Sequence, residues 1–434
     1  MTASPLGTQV SQEDSVAEQL RVVEICAGAG GQSLGLERAG FEHELAVELD
    51  ANACSTLRLN RPGWKVASGD VADPEIWTPA DYQGIDLLAG GVPCPPFTIA
   101  GKQLGATDTR DLFAWTVEQC RIVKPRALLL ENVRGLSMNR FTAYRQAILD
   151  ELHDMGYVAD WKLFQASDYG VSQLRPRFVL VAMRPEEFAY FDWPEPSRTK
   201  PPTVGELVHD LMAANGWPGA DAWREKANKI APTIVGGSKK HGGADLGPTR
   251  AKAAWAEMGV DGWGIADSAP GPEVPVDFNP KLTWPMVARI QGWDDDRYKW
   301  EFFGRKTSVY RQIGNAFPPP VAEAIGSAIR RALGHETEPR TLIEEVKPVH
   351  DPVYHVLRKS TRYMGVEDIS RALPHPLDQH TLERHINHLK RDFEIEEKAR
   401  GSITVYRLGE FKAFTGQDAH PRHEAFQMQL PTIS

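Results

Sequence analysis

Short runs of β-forming residues alternate with amphipathic helical patterns through residues 21–183, and this alternation limits the possible folds most strongly. The predicted strands are Arg21–Cys26, Leu45–Leu49, Lys65–Ser68, Asp86–Ala89, Ala127–Leu130 and Arg177–Met183. The helical patterns among them are Gln32–Ala39, Asn52–Asn60, Asp111–Val123 and Ala143–Met155. Strands joined by helix-length segments pair in parallel, because a parallel connection needs a long crossover. We therefore predict an α/β fold, a doubly wound Rossmann-like sheet with helices on both faces.

A glycine-rich turn, Ala27–Gly31, follows the first predicted strand and precedes a predicted helix. Glycine lets the backbone approach a ligand at the electropositive start of a helix, as in folds that bind NAD, FAD or adenosylmethionine. The dinucleotide fingerprint would place a further glycine at Ser33. Glu48 and Asp70 end the next two strands, where carboxylates can accept hydrogen bonds from ribose hydroxyls and an adenine amino group. The pattern predicts an adenosine pocket.

Cys94 lies between Pro93 and Pro95, directly after the fourth predicted strand. Proline on both sides excludes a helix interior or a central strand, so Cys94 is expected on a stiff loop at the carboxyl end of the sheet. Ligands bind at that edge in doubly wound folds. The other cysteines are scattered, without a CxxC pair, and this spacing argues against a disulfide framework and a structural zinc site.

Three further charged side chains are predicted at the same edge. Glu131 ends the fifth strand, and Arg175 and Arg177 lie just before the last predicted strand. Guanidinium groups stay charged and form bidentate hydrogen bonds, so one of them could orient Glu131 and contact a carbonyl oxygen of a substrate base.

The segments GAGG, GDV, PCPPF, ENV, QLRPR and YRQIGNA, in this order, resemble the DNA (cytosine-5-)-methyltransferase family of bacterial restriction–modification type over roughly residues 20–333. The resemblance implies that Cys94 adds to carbon 6 of a cytosine that is flipped out of the duplex. It implies that Glu131 donates a proton to ring nitrogen 3, while Arg175 and Arg177 bind oxygen 2 and position Glu131. The methyl donor would be S-adenosyl-L-methionine, and the substrate double-stranded DNA.

The same resemblance assigns a set of residues to the cofactor. They are Cys26, Ala27, Gly28, Gly30, Gly31, Glu48, Leu49, Asp70, Val71, Pro93, Asn315 and Ala316. Cys26 stands where the family usually has Phe, so we expect one aromatic contact to the cofactor to be missing. No metal is expected.

DNA contacts are expected in a loop after Cys94, in a basic stretch and in a predicted helix near the C-terminus, Gln379–Phe393, although the whole chain carries a net charge of −9. The loop Thr98–Arg110 is implied to close over DNA. Arg224–Lys252 has seven cations against two anions, and local fields of this kind attract phosphates. The residues expected to contact DNA are Lys102, Arg110, Lys239, Lys240, Arg250 and Arg384.

Changes in composition and hydrophobic periodicity along the sequence predict several domains. In chain order these are a polar tail (1–19), a catalytic and cofactor-binding domain (20–185), a target-recognition domain (186–280), a return to the catalytic domain (281–333), a linker (334–352), a winged-helix-like module (353–412) and a second tail (413–434). Three helices and a glycine-containing hairpin give the last module its resemblance to a winged helix-turn-helix, with Gln379–Phe393 as recognition helix. DNA contact and protein docking both stay open for it.

Two other functions remain alternatives: a catalytically silent DNA-binding regulator, and a tRNA cytosine-5 methyltransferase of the same fold. A nicotinamide-dependent dehydrogenase would share the sheet and glycine turn but would leave PCPPF and ENV unexplained. No apolar run could span a bilayer, and the N-terminus lacks a signal-peptide core. We expect a cytoplasmic, nucleoid-associated monomer, with a cognate restriction endonuclease or defence-system proteins as candidate partners.

Overall fold

The computed structural model describes residues 19–93, 112–237, 243–294, 296–342, 351–401 and 403–411. Within them, a seven-stranded sheet has the order β3-β2-β1-β4-β5-β8-β6. Its strands are β1 (Leu20–Ile25), β2 (Phe41–Glu48), β3 (Val66–Ser68), β4 (Leu87–Gly90), β5 (Ala127–Val133), β6 (Val158–Gln165) and β8 (Pro176–Met183). A separate two-stranded pair joins β7 (Gln173–Leu174) to β9 (Ala231–Pro232). The predicted Rossmann-like α/β fold is confirmed.

One strand differs from the predicted parallel pattern. The strand β8 runs antiparallel to both of its neighbours, β5 and β6. Only residues 166–175 separate β6 from β8, and such a connection is too short for the crossover helix that parallel pairing requires. The strand β6 lies at the sheet edge, and most of its residues are only partly buried. Its sequence, VADWKLFQ, accordingly lacks the continuous apolar run of a strand that is buried on both faces.

Helices cover both faces of the sheet. On one face, α1 (Gly31–Arg38) packs against α11 (Pro319–Leu333). A Cβ atom at Gly35 would lie 2.4 Å from the Ala322 Cβ, so glycine is needed for this close helix pair. On the other face lie α3 (Leu112–Val123) and α4 (Thr142–Asp154), which follow α2 (Ala51–Asn60) in the chain.

A second core forms in the irregular part of the chain. Its helices are α6 (Val204–Ala213), α7 (Ala220–Lys226), α8 (Thr249–Glu257), α9 (Trp284–Gln291) and α10 (Lys306–Asn315). The short α5 (Pro185–Phe188) packs beside the sheet instead, through Phe188. Trp223 and Trp255 are buried in this core, which reaches Leu34 and Leu57 beside the sheet. The second core therefore seats α10 next to the glycine turn and α2.

The C-terminal module has its own small core. It comprises α12 (Pro352–Arg358), β10 (Met364–Gly365), α13 (Val366–Ala372), α14 (Gln379–Asp392), β11 (Phe393–Arg400) and β12 (Ile403–Phe411). The three helices and the hairpin that the sequence predicted are thus present, and the winged-helix assignment remains a prediction. Among the helices of the described ranges, none combines the length and apolarity needed to span a bilayer.

Candidate active site

A cavity of about 290 Å³ opens at the carboxyl ends of β1, β2 and β4, under α10. Eleven of the twelve residues assigned to the cofactor line it: Cys26, Ala27, Gly28, Gly31, Glu48, Leu49, Asp70, Val71, Pro93, Asn315 and Ala316. Glu131 also lines this cavity. The structure therefore brings the candidate cofactor residues and one candidate catalytic carboxyl to a single space.

Gly30 supports the turn from outside the cavity lining. Its φ is +95°, and a Cβ atom there would lie 2.7 Å from the Trp300 ring and 2.9 Å from Leu57. The Trp300 indole Nε1 donates a hydrogen bond to the Ala29 carbonyl oxygen at 2.8 Å. Gly30 thus lets the turn pack closely on Trp300, while Gly28, at φ +57°, has open space where its Cβ would be.

Glu48 is held by two backbone N–H groups. Its Oε2 accepts from Gly28 N at 2.8 Å, and its Oε1 accepts from Asp50 N at 2.7 Å. Burial raises the pKa of the Glu48 carboxyl, while these hydrogen bonds act in the opposite direction. Each oxygen retains a second lone pair, so the fixed carboxylate can accept from ligand hydroxyls.

Asp70 reaches the same cavity from the end of β3. Gly69 N donates to the Glu48 carbonyl oxygen at 2.9 Å and holds the ends of β2 and β3 side by side. The Asp70 Oδ1 accepts from Ala72 N at 3.0 Å. The two acids thus come from adjacent strand ends, as the sequence pattern predicted.

Glu131 and Arg177 form a buried ion pair on neighbouring strands. The Arg177 Nε lies 2.5 Å from Glu131 Oε1, and the two side chains are 9% and 10% exposed. Burial raises the pKa of the Glu131 carboxyl, although Arg177 and Arg175 act to lower it. A carboxyl in this setting is easier to protonate than one in water, so it could supply a proton to a ligand.

Arg175 makes backbone contacts that the sequence pattern did not predict. It was expected to bind a substrate base together with Arg177, and its buried guanidinium donates to three backbone carbonyl oxygens. The acceptors are Ile234 O at 2.7 Å, Gly314 O at 2.8 Å and Ala316 O at 2.9 Å. Arg175 lies between β7, which pairs with β9, and β8, which belongs to the main sheet. Its contacts tie Ile234, two residues after β9, to the end of α10.

Five of the predicted site residues lie outside the described residues: Cys94, Lys102, Arg110, Lys239 and Lys240. Pro93, which immediately precedes Cys94, lines the cavity.

Two of the predicted DNA-contact residues are described. Arg250 is exposed on α8, and Arg384 is exposed on α14. Within the described ranges, no group of three His, Cys, Asp or Glu side chains could hold a metal ion.

Sequence reasoning missed six polar residues that line the cavity. They are Glu24, Gln32, Asp50, Ser308, Arg311 and Gln312. Helical spacing within YRQIGNA could have placed Arg311 and Asn315 on one face of α10, since residues four apart are neighbours. Glu24 gave no such signal, because it lies within an otherwise apolar strand. Its partner in the structure is His43, at 2.9 Å.

Comparisons with known proteins agree with this geometry. Residues 20–331 match the family model described as C-5 cytosine-specific DNA methylase. Type II methyltransferase M.NaeI of Lentzea aerocolonigenes is 61% identical over 417 residues, which are 96% of this chain and 100% of that protein. Type II methyltransferase M.NgoMIV of Neisseria gonorrhoeae is 51% identical over 321 residues, which are 73% of this chain and 99% of that protein.

A solved structure shows the same fold. It is a prophage-encoded E. coli protein assigned as a DNA modification methyltransferase, which aligns with a TM-score of 0.50 and 23% identity. The alignment covers 73% of this chain and 99% of the other.

Proposed function

Since this chain belongs to the family of C-5 cytosine-specific DNA methylases and is a DNA cytosine methyltransferase, we propose that it methylates carbon 5 of a flipped cytosine through a covalent adduct with Cys94. The observation that carries this proposal is the buried Glu131–Arg177 pair, which borders the cavity lined by Pro93. Nucleophile, proton donor and methyl donor would then meet in one space.

Open space beside the turn and two carboxylate acceptors support S-adenosyl-L-methionine as the ligand of this cavity. The open space at Gly28 leaves room for a ligand against the backbone of the turn. Glu48 would accept from ribose hydroxyls, and Asp70 would accept from the adenine amino group. When bound, S-adenosyl-L-methionine supplies an electrophilic methyl group on sulfur.

The protein's own residues would make cytosine reactive enough to accept that methyl group. The Cys94 thiolate adds to carbon 6, and Glu131 gives a proton to nitrogen 3, so carbon 5 gains enamine character. Carbon 5 then takes the methyl group as the bond between that group and the donor sulfur breaks, which leaves a neutral thioether. Water accepts the proton of carbon 5, the Cys94–carbon 6 bond breaks to restore the thiolate, and nitrogen 3 returns its proton to Glu131. The target carbon is inaccessible inside a duplex, so the base must leave the stack first.

Arg177 would keep Glu131 in position for this proton transfer. Its Nε engages Glu131 Oε1, which leaves Oε2 as the oxygen that carries the proton. A Cβ atom at Gly91 would lie 3.6 Å from Oε2, so glycine leaves space beside that oxygen. Arg177 would also bind oxygen 2 of the base, whereas Arg175 acts as a positioning residue through its carbonyl contacts.

The biological setting proposed here rests on the relatives. Both curated relatives described above are Type II methyltransferases. We assign the protein to a restriction–modification system or phage defence, as a monomer that acts on double-stranded DNA in the nucleoid. A cognate restriction endonuclease or other defence proteins would be its partners.

Trapping with 5-fluorocytosine tests the covalent step. Duplex DNA is amplified with 5-fluorodeoxycytidine triphosphate and incubated with S-adenosyl-L-methionine and either the wild-type protein or Cys94→Ala. Fluorine cannot leave carbon 5 as a proton does, so the wild type should form an adduct that survives denaturing gel electrophoresis. Cys94→Ala should form none. An active wild type that leaves no adduct would rule out Cys94 as the nucleophile.

A further inference from the structure

The C-terminal module (residues 351–411) lies outside the part of the chain that explains methyl transfer. The family match ends at residue 331. M.NgoMIV aligns over 99% of its own length but covers only 73% of this chain, whereas M.NaeI covers 96%. A methyltransferase body of this family therefore exists without an equivalent extension, and the module needs a separate explanation.

The module's internal packing gives α14 one buried and one exposed face. Leu382, Ile386 and Leu389 are buried in the module's core. The hairpin β11–β12 continues directly from α14, and the small sheet has the order β10-β12-β11. An exposed helix after a short helix, flanked by a hairpin, is the arrangement in which helix-turn-helix proteins present their recognition helix.

The exposed face of α14, here called the α14 face, is uniformly polar. Its members lie three or four residues apart or adjacent, so they form one stripe: His380, Arg384, Asn387, His388 and Arg391. No apolar side chain belongs to this stripe, and one carboxylate borders it: half-buried Glu383, which accepts a hydrogen bond from Gln379 at 2.8 Å. A protein-binding surface would be expected to carry an apolar centre, which the α14 face lacks.

Carboxylates near α14 are engaged by other cations. Glu397 pairs with Lys390 at 2.5 Å, Glu396 with Arg407 at 2.5 Å, and Asp351 with His385 at 2.7 Å. Among the described residues, no ion pair involves Arg384 or Arg391. Burial lowers the pKa of His388, and the nearby Arg391 and Arg384 also lower it, whereas Asp351 raises it. His388 therefore lies within the field of these two arginines.

The β11–β12 hairpin has cations near its tip and exposed carboxylates, Glu394 and Glu410, at its opposite end. Lys398 and Arg400 are exposed near its tip. Basic side chains on such a loop can contact phosphates and fix the register of a neighbouring helix on the duplex.

The module is also fixed against the catalytic body. Tyr354 Oη donates to Asp150 Oδ2 at 2.7 Å, and Arg358 lies 3.1 Å from the same carboxylate. Ala143 and Ala147 of α4 join the module's apolar core. DNA bound to the α14 face would therefore be held at a defined place relative to the active site.

We propose that the α14 face and the β11–β12 hairpin bind double-stranded DNA at a second sequence, separate from the methylated one. The major groove accepts an α-helix, and within it Arg can pair with guanine and Asn with adenine. Arg384 and Asn387 supply these two residue types on one exposed stripe. The proposal does not depend on the covalent mechanism at Cys94.

Selection from a random-sequence library tests this site. Full-length protein is incubated with 45-bp duplexes of random sequence, and the bound fraction is sequenced over successive rounds. The wild type should enrich two sequence elements, one of which coincides with the sequence that the protein methylates. The double variant Arg384→Glu, Arg391→Glu should lose the second element and bind duplexes carrying it about tenfold more weakly.

Arg38→Glu is the matched control, because Arg38 is an exposed cation at the end of α1, far from the module in the chain. It should retain both elements. Equal thermal unfolding of all three proteins checks that the module stays folded. The proposal is overturned if the double variant enriches the same elements as the wild type with equal affinity, which would favour protein docking. It is also overturned if both elements disappear together, because the α14 face would then belong to the methylation site.

Discussion

Buried charge at Glu131, Arg177 and Arg175 determines much of what the candidate site can do. Glu131 and Arg177 lie against each other where both are nine-tenths buried, and burial raises the pKa of Glu131 and lowers that of Arg177. The terminal nitrogens of Arg175 donate hydrogen bonds to backbone carbonyl oxygens and not to a carboxylate. Two arginines separated by one residue therefore have different tasks: one serves the carboxyl, and the other serves the backbone.

Stability should depend on pH through Glu131. Burial raises the pKa of this carboxyl in the folded protein, so the folded state binds the proton more tightly than the unfolded chain does. The contribution of Glu131 to the free energy of unfolding is present at low pH and is lost as pH rises past its ordinary value of 4.5. Urea unfolding of wild type and Glu131→Gln between pH 5 and pH 8 measures this contribution. The wild type should lose stability relative to the variant as pH rises, and the opposite trend would contradict the raised pKa.

Arg175→Ala should destabilise the protein by about 3 kcal/mol, because three buried carbonyl oxygens lose a charged donor. Arg175→Lys should restore little of this loss, since an ammonium group cannot reproduce the planar fork. Urea unfolding gives the free-energy differences. Arg38→Ala, at an exposed position, is the control and should change stability by less than about 0.5 kcal/mol. An equally small effect of Arg175→Ala would refute the positioning role.

At the scale of elements, the glycine turn and the strand ends build the cofactor cavity. The turn between β1 and α1 is packed against Trp300 on one side and faces the cavity on the other. The ends of β2 and β3 are joined by the Gly69–Glu48 backbone hydrogen bond. The cavity's shape therefore depends on backbone geometry that a single methyl group can disturb.

Gly30→Ala should lower the free energy of unfolding by about 2 kcal/mol, since it combines positive φ with contacts too close for a Cβ atom. Gly63→Ala is the matched control, because Gly63 lacks a positive φ and has nothing within 4 Å of a Cβ position. The control should change stability by about 0.5 kcal/mol or less. Chemical denaturation of both variants decides the matter, and equal stabilities would mean that the turn can relax.

Sequence patterns predicted the elements that are determined by residues close together in the chain. The apolar runs of β1, β2 and β4 and the glycines after β1 were readable, and the acids at strand ends followed from sheet geometry. The direction of β8 was not readable, because apolar periodicity is the same in parallel and antiparallel strands. Arg175's contacts depend on Ile234, Gly314 and Ala316, which are distant in sequence. Tertiary contacts of this kind leave no periodic signal.

At the scale of the whole molecule, the methyltransferase body and the C-terminal module, which has a core of its own, meet at α4. The helix α4 packs on the sheet through Tyr144 and Ile148, and Ala143 and Ala147 face the module's core. The chain also returns to the sheet through α11, whose residues pack beside α1. The long irregular segment between β8 and α11 is therefore anchored to the catalytic body at both of the segment's ends.

The most direct test of the central claim is base-resolution 5-methylcytosine sequencing of DNA from a methylation-free bacterial host that expresses the full-length protein. The wild type should methylate carbon 5 of cytosine within one short recurring sequence, and Cys94→Ala, expressed at the same level, should leave the DNA unmethylated. Methylation by the Cys94→Ala variant would contradict the covalent mechanism. An unmethylated genome in cells that contain folded wild-type protein, able to bind S-adenosyl-L-methionine, would contradict DNA cytosine methylation as the protein's reaction.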